Sequence, residues 1–283
     1  MEKISGIVTC FNRENEIADC LASVDWVDEL VVVDSFSTDR TAEIAGRYAD
    51  VLLRHEYRSA AAQRNWAMER TSHDWTLIID SDEVMPPELR DEIREEMAAP
   101  RYDRYRVFRR GIFLGKEMRH GGWPRDTNNI LFRKSVYRFN DDEVHPLLLP
   151  EGACGCFTNR LIHYTHRSID EFVSKSHTYA GWAARKYRRR GRRGAFGKIF
   201  THPFYNFVKI YLLRAGFLDG ARGLVSAVLS SAYVAEKYAR LWELDHCRFP
   251  DGAGNGGEGA GENLAHPSPP GGAEPELRAG KES

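Results

Sequence analysis

Trp75-Thr-Leu-Ile-Ile-Asp-Ser-Asp-Glu83 runs a block of apolar and β-branched residues straight into three acids within four positions. Continuous rather than alternating apolarity marks a strand covered on both faces, as in a central parallel sheet. Ligands of open α/β sheets sit outside the carboxyl ends of the strands, so Asp80, Ser81, Asp82 and Glu83 are expected to project into that crevice. Two apart on a strand end, Asp80 and Asp82 would point the same way. Carboxylates placed so repel each other unless a divalent cation lies between them, and Mg²⁺ or Mn²⁺ carried by a substrate diphosphate is the usual reason for such a pair. In isolation, the same acids read more simply as a solvated turn ahead of a helix opening at Pro86-Pro87. The chain upstream decides between the two.

Ile4-Ser-Gly-Ile-Val-Thr9 is a short apolar run ended by the polar break Cys10-Phe-Asn-Arg-Glu-Asn15. Ile17, Cys20, Leu21 and Val24 then keep helical spacing. Leu30-Val-Val-Val33 is a second apolar strand and stops at Asp34; a helix with Ile44, Ala45 and Tyr48 follows, with Thr38 or Asp39 as its N-cap. Val51 to Arg54 is a third strand and Ala60 to Arg70 a third helix. Strand and helix alternating at this spacing build βαβ units and a parallel sheet. Neither a G-x-G-x-x-G nor a G-x-x-x-x-G-K follows any of these strands, which disfavours the common dinucleotide fold and a P-loop. Asp34 now closes one strand as Asp80 and Asp82 close another, where it could accept hydrogen bonds from a ribose or base, or from the amides of its own turn.

With 283 residues, 42% of them hydrophobic, the chain can bury a full core in one large domain or one with an appendage. Formal net charge is −1, but the segment from Asp251 to Ser283 is acidic, Gly/Pro-rich and without periodicity, so residues 247–283 are expected to be disordered and the body before them to be slightly basic. Five cysteines, an odd number, and the polar start Met1-Glu-Lys fit a reducing cytosol. Cys154-Gly-Cys156 is too lone a pair for zinc. No apolar run reaches the 18 or so residues a bilayer-spanning helix needs.

The runs I-S-G-I-V-T-C-F-N-R-E-N-E-I, V-V-V-D-S-F-S-T-D-R-T, A-A-A-Q-R-N-W-A and L-I-I-D-S-D-E, in this order and spacing, resemble the inverting family 2 glycosyltransferases with their GT-A fold. H-G-G-W-P-R-D (His120 to Asp126), I-L-F-R-K (Ile130 to Lys134), E-V-H (Glu143 to His145), H-Y-T-H-R-S (His163 to Ser168) and R-A-G-F-L-D-G (Arg214 to Gly220) resemble the branch holding lipopolysaccharide-core β-glucosyltransferases. The likeness spans roughly residues 4 to 243. It implies an α/β GT-A domain over residues 1–165 and a helical, basic and aromatic extension over 166–246. By the same resemblance, Thr9, Asn12 and Asp34 would border the nucleotide of a sugar-nucleotide donor, most simply a UDP-sugar. Gln63, Arg64 and Asn65 would lie along the donor, Asp80 would hold the ribose, and Asp82 would be the ligand of a diphosphate-bound Mg²⁺ or Mn²⁺. The acceptor would be a lipid-linked saccharide.

An inverting transfer also needs a carboxylate to take the acceptor proton on the face opposite the leaving group. Relatives carry Glu directly after the His of the V-H motif, whereas this chain has Pro146. Asp126 is therefore the first choice of base and Glu143 the second; His145 lies further from that role and, with Trp123, is expected to line the acceptor, which needs flat apolar surface for sugar faces. Downstream, Arg185-Lys-Tyr-Arg-Arg-Arg-Gly-Arg-Arg193 precedes the aromatic-rich Phe196 to Tyr211. Clustered cations beside rings suit an anionic membrane surface, giving a protein peripheral on the inner face of the cytoplasmic membrane. A nucleic-acid-binding module is the competing use of that run, but the run falls at a helix end and acids occupy the sheet edge, so nucleic acid is not expected as a partner. A nucleotidyltransferase, the other alternative, usually carries a Gly-rich loop where this chain has Cys10 to Asn15.

Overall fold

Each apolar run of the first eighty residues becomes a parallel strand. In the computed structural model, which describes residues 2–140 and 147–247, β1 (Ile4–Cys10), β2 (Glu29–Asp34), β3 (Val51–Arg54) and β4 (Trp75–Asp80) lie in the order β3-β2-β1-β4. All three pairings are parallel, with Ile7 of β1 opposite Val31 on one side and Ile78 on the other. Helices α1 (Ile17–Ala22), α2 (Thr41–Ala45) and α3 (Ala60–Met68) make the crossovers that parallel pairing demands. The pleat divides the apolar side chains between two faces. Val8, Val32, Leu77 and Ile79 pack with Ile17, Cys20 and Leu21 of α1; Ile7, Val31, Val33 and Ile78 pack with Ala61 and Ala67 of α3.

Downstream come β5 (Glu83–Val84), α4 (Pro87–Glu96), β6 (Arg104–Phe113), β7 (Lys116–Glu117), β8 (Thr127–Arg133), β9 (Arg138–Phe139), β10 (Leu148–Leu149), β11 (Gly155–Cys156) and β12 (Leu161–His166). Beyond β4 the sheet continues as β8-β6-β12-β5, with β8 antiparallel to both β4 and β6. A parallel half thus carries the first acids and an antiparallel half brings later strands alongside them. This is the α/β GT-A arrangement with a helical C-terminal region.

The described chain forms two compact units, one of residues 2–110, 126–140 and 147–163, the other of residues 111–125 and 164–247. The second holds α5 (Ile169–Arg189), α6 (Lys198–Phe207) and α7 (Ala221–His246), with a π-helical stretch Val208–Leu213 and a 3-10 turn Gly216–Asp219 between the last two. Ser168 opens α5 by accepting the Glu171 N–H at 3.1 Å. Ala184 of α5 packs with Tyr238 and Leu241 of α7, while Phe113, Met118 and Phe172 form a second small core.

Several local expectations shift. Asp82 is not on a strand: β4 ends at Asp80 and a turn carries Asp82, so strand alternation does not orient the pair. The residue before α2 is Arg40, which offers no cap; Asp39 nonetheless accepts the Thr41 N–H at 2.9 Å. Helix α3 stops at Met68, two residues early. Of the expected disordered stretch, residues 248–283 lie outside the described chain, as do Glu143, His145 and Pro146.

Candidate active site

The end of β4 is built around charge. Asp80, its last residue, accepts a hydrogen bond from Arg64 of α3 at 2.5 Å. Arg64 is therefore not a solvated helix cation; its side chain is largely buried and committed to the strand end. The turn after Asp80 is closed by Glu83, whose Oε2 accepts the Asp80 N–H at 3.0 Å. Glu83 is fully buried, and its other oxygen takes Nη1 of Arg109 at 3.0 Å. Burial pushes the Glu83 carboxyl up to about 7, and the charge of Asp80 adds to the push, against the opposing pull of Arg109 and His163.

Arg109, near the middle of β6, also grips Asp126 in two-point fashion, Nε to Oδ2 at 2.8 Å and Nη2 to Oδ1 at 2.9 Å. Its backbone N–H donates to the Asp126 carbonyl at 2.8 Å, so side chain and main chain are located together. Such forked pairing fixes the plane of the carboxylate as well as its position. His163 of β12 stands 3.6 Å from Asp82 through Nε2 and 3.9 Å from Asp126 through Nδ1. Burial disfavours the charged ring, but the Asp82 hydrogen bond and the charges of Asp82 and Glu83 outweigh it and hold His163 above its ordinary value. The sequence assigns Arg109 no role, and His163 only a place at the head of the H-Y-T-H-R-S motif. Their signal was faint: a cation and a histidine in two strands otherwise carrying the buried Tyr105, Val107 and Leu161.

Most of the residues at the β1 and β2 ends are engaged inward. Asp34 is fully buried, accepts the Ser37 N–H at 3.1 Å and has Arg54 Nε at 3.7 Å, so it organises its own turn. Asn12, in the left-handed region at φ 48°, accepts the Thr38 N–H at 2.8 Å, which ties the loop after β1 to the loop after β2. Thr9 is half-buried beside them. Gln63 is buried with its amide between His55 Nδ1 at 2.8 Å and Ser35 Oγ at 3.0 Å. Asn65 clamps the Phe139 backbone, donating to its carbonyl at 2.8 Å and accepting its N–H at 3.0 Å. Gln63 and Asn65 therefore fasten loops, and Arg64 between them is the one that reaches the strand end. A cavity of about 300 Å³ opens beside Arg64, lined also by Arg104, Asn128, Phe139 and Glu151.

In the second unit, His120 to Arg125 and Arg214 to Gly220 meet. Asp219, buried, accepts the backbone N–H of Arg119 at 3.2 Å and of His120 at 2.9 Å, with the His120 ring at 3.1 Å. The Gly121 N–H donates to the Arg214 carbonyl at 2.9 Å. Trp123 lies flat over Gly111, where an added Cβ would come within 2.4 Å of the ring. Only glycine admits that approach.

Among the described residues, no three His, Cys, Asp or Glu side chains are grouped to hold a metal by themselves. Asp80 and Asp82 instead offer the one or two hard carboxylate oxygens that suit Mg²⁺ or Mn²⁺ keeping its waters and taking its other ligands from a substrate phosphate. The donor set fits such a cation.

A model described as Glycosyl transferase family 2 matches residues 5–165. The chain is 31% identical, over 83% of its length and 93% of the relative's, to the lipopolysaccharide core biosynthesis glycosyltransferase LpsC of Rhizobium meliloti (strain 1021). It is 26% identical, over 86% of its length and 88% of the relative's, to an uncharacterized glycosyltransferase, RT0209, of Rickettsia typhi. Among solved structures, S. aureus TarS residues 1–349 aligns with 89% of this chain and 95% of its own at a TM-score of 0.42 and 14% identity. Glucosyl-3-phosphoglycerate synthase from Mycobacterium tuberculosis, in complex with Mn²⁺, UDP and glucosyl-3-phosphoglycerate, aligns with 38% of this chain and 44% of its own at a TM-score of 0.35 and 24% identity.

Proposed function

Because this chain belongs to glycosyl transferase family 2 and is related to a lipopolysaccharide core transferase, we propose that it is a metal-dependent inverting transferase moving a hexose, glucose in the simplest case, from a UDP-sugar to a lipid-linked saccharide. Residues 1–165 act as the catalytic domain; 166–246 face the acceptor and the cytoplasmic surface of the membrane that carries it. The observation supporting this most directly is the continuous run of pairs from Arg64–Asp80 at the β4 end, through Glu83 and Arg109, to Asp126. It joins the acids suited to a donor diphosphate to a carboxylate suited to an acceptor hydroxyl.

In the reaction so read, the acceptor oxygen forms its bond to the anomeric carbon as the bond to the diphosphate breaks. The electron pair leaves with the diphosphate and the hydroxyl proton passes to Asp126. Arg64 meets part of the charge that grows on the leaving group. Asp82, with Asp80, would hold Mg²⁺ or Mn²⁺, which when bound stabilises that same charge. Thr9, Asn12 and Asp34 shape the nucleotide end, and Trp123 offers a ring face to an acceptor sugar. A panel of sugar nucleotides assayed with Mg²⁺ or Mn²⁺ tests the reading: turnover of a UDP-hexose is expected, and Asp82→Ala should abolish it. Full activity in excess chelator would remove the metal, and silence toward every sugar nucleotide with lipid-linked acceptors would remove the transferase itself.

A further inference from the structure

Helix α6 turns Ile199 toward Tyr238 and Leu241 of α7 but leaves Phe200 and Phe204 outside. His202 and Asn206 turn inward, His202 packing on the Tyr238 ring of α7 at 4.3 Å and Asn206 reaching Ser231 Oγ at 3.5 Å. Phe196, Phe200 and Phe204, four residues apart and so on one stripe, turn outward at 60%, 63% and 72% exposure. A helix of a soluble protein ordinarily buries its apolar stripe and solvates its polar one. The outward surface continues through Tyr205, Leu212, Leu213, Phe217 and Leu218, all exposed. The half-buried Phe207 and Tyr211 link it by ring contacts, Phe207 to Tyr211 at 5.3 Å and Tyr211 to Phe217 at 6.3 Å. The π-helical stretch and the turn at Gly216–Asp219 hold the far end, with buried Asp219 anchoring that turn to the Arg119 and His120 amides. Isolated surface leucines need no explanation, whereas a contiguous set of rings and leucines marks an interaction surface.

Charge identifies what covers it. From Phe172 to Leu218 the sequence contains no Asp or Glu, while Arg188, Arg189, Arg190, Arg192 and Arg193 are exposed just ahead of α6. The Asp245 side chain lies 4.0 Å from both Arg188 and Arg193. Among the described residues no helix is long and apolar enough to cross a membrane. We infer that the Phe196–Leu218 face lies in the headgroup boundary of an anionic bilayer, with Phe200, Phe204, Leu213 and Leu218 inserted and the 188–193 arginines on lipid phosphates. Rings supply burial and cations supply long-range attraction, the two signals that together make peripheral attachment stable. The inference rests on the proposed function for the acceptor being lipid-linked and for the 166–246 extension facing the membrane, and adds which side chains dock.

Sedimentation of the full chain with vesicles of phosphatidylcholine, with and without phosphatidylglycerol, tests it. Wild-type protein should pellet with phosphatidylglycerol vesicles at low salt and be released as salt rises. Phe200→Glu with Phe204→Glu should cut the bound fraction at least tenfold, and Arg188→Glu with Arg189→Glu and Arg190→Glu should abolish the preference for anionic lipid. Circular dichroism and donor hydrolysis in water should match wild type in both variants, because these side chains point away from the core. Wild-type protein that turns over donor yet stays in the supernatant overturns the docking face and leaves the transferase reading intact; lipid binding without donor turnover does the reverse. Unchanged vesicle binding by the Phe200→Glu, Phe204→Glu variant overturns the assigned face. Concentration-dependent dimerisation that this variant loses, with no lipid binding, assigns the face to a second copy of the chain.

Discussion

Arg109→Met removes the cation between Glu83 and Asp126, and the structure sets both the size and the pH dependence of the loss. Breaking a buried ion pair by deleting one partner typically costs about 3–5 kcal/mol because a charge is stranded. Glu83, however, already sits at about 7 in the folded protein and can shed its charge by taking a proton. At pH 6 it is mostly protonated with or without Arg109, so the loss reduces to the hydrogen bonds and the Asp126 contact. With Asp126 39% exposed, that contact is worth about 1 kcal/mol or less. Above pH 7 the wild-type carboxylate ionises beside Arg109, whereas the variant, its carboxyl pushed higher, must keep binding a proton. The penalty should then grow by about 1.4 kcal/mol per pH unit, reaching about 3 kcal/mol more at pH 9 than at pH 6. Glu83 faces Asp80, Arg109, His163 and Cys20, and the double variant Arg109→Met with Glu83→Gln keeps all of these except the two changed groups while retaining an acceptor for the Asp80 N–H. Urea unfolding of wild type, single and double variants at pH 6 and pH 9 is the assay. The single variant should lose stability steeply with pH and the double variant should not. A penalty for Arg109→Met that stays flat over that range would refute the buried pairing.

Asp126→Asn should lower transfer by about 10²-fold or more while leaving the KM for donor nearly unchanged, since only the proton acceptor is altered. Steady-state kinetics decides it, and full transfer in that variant would return the role to Glu143. Asp219→Ala leaves the Arg119 and His120 amides without their carboxylate and should cost about 1–3 kcal/mol in thermal or urea unfolding. Glu96 is held down at about 2 by its hydrogen bonds to Arg101 and Tyr105, so the stability it contributes is present above its ordinary 4.5 and is lost as pH falls toward 2. Because Arg101 is largely exposed, the gap between wild type and Glu96→Gln should be about 1 kcal/mol or less at pH 7, shrinking with acidification in an acid-unfolding titration.

What local chemistry dictates was legible in the chain itself. Runs such as Leu30-Val-Val-Val33 and Thr76-Leu-Ile-Ile79 can satisfy both backbone and side chains only as strands covered on two faces, and each ends at a carboxylate. That placed Asp34 and Asp80 along one sheet edge and carried the family resemblance with it. Which polar atoms of that edge remain available was not legible. Gln63 and Asn65, which the family resemblance sets along the donor, are also held by His55, Ser35 and Phe139, brought beside them by the fold. Arg109 meets Glu83 across 26 residues and Asp126 across 17 because β6 lies between β8, which Asp126 precedes, and the β12-β5 edge that carries Glu83. Periodicity along a chain reports burial, a property each residue has by itself. A salt bridge or an outward ring depends on which element packs opposite: α7 draws in His202 and Asn206 and thereby leaves Phe200 and Phe204 to the outside, an outcome that only tertiary packing decides.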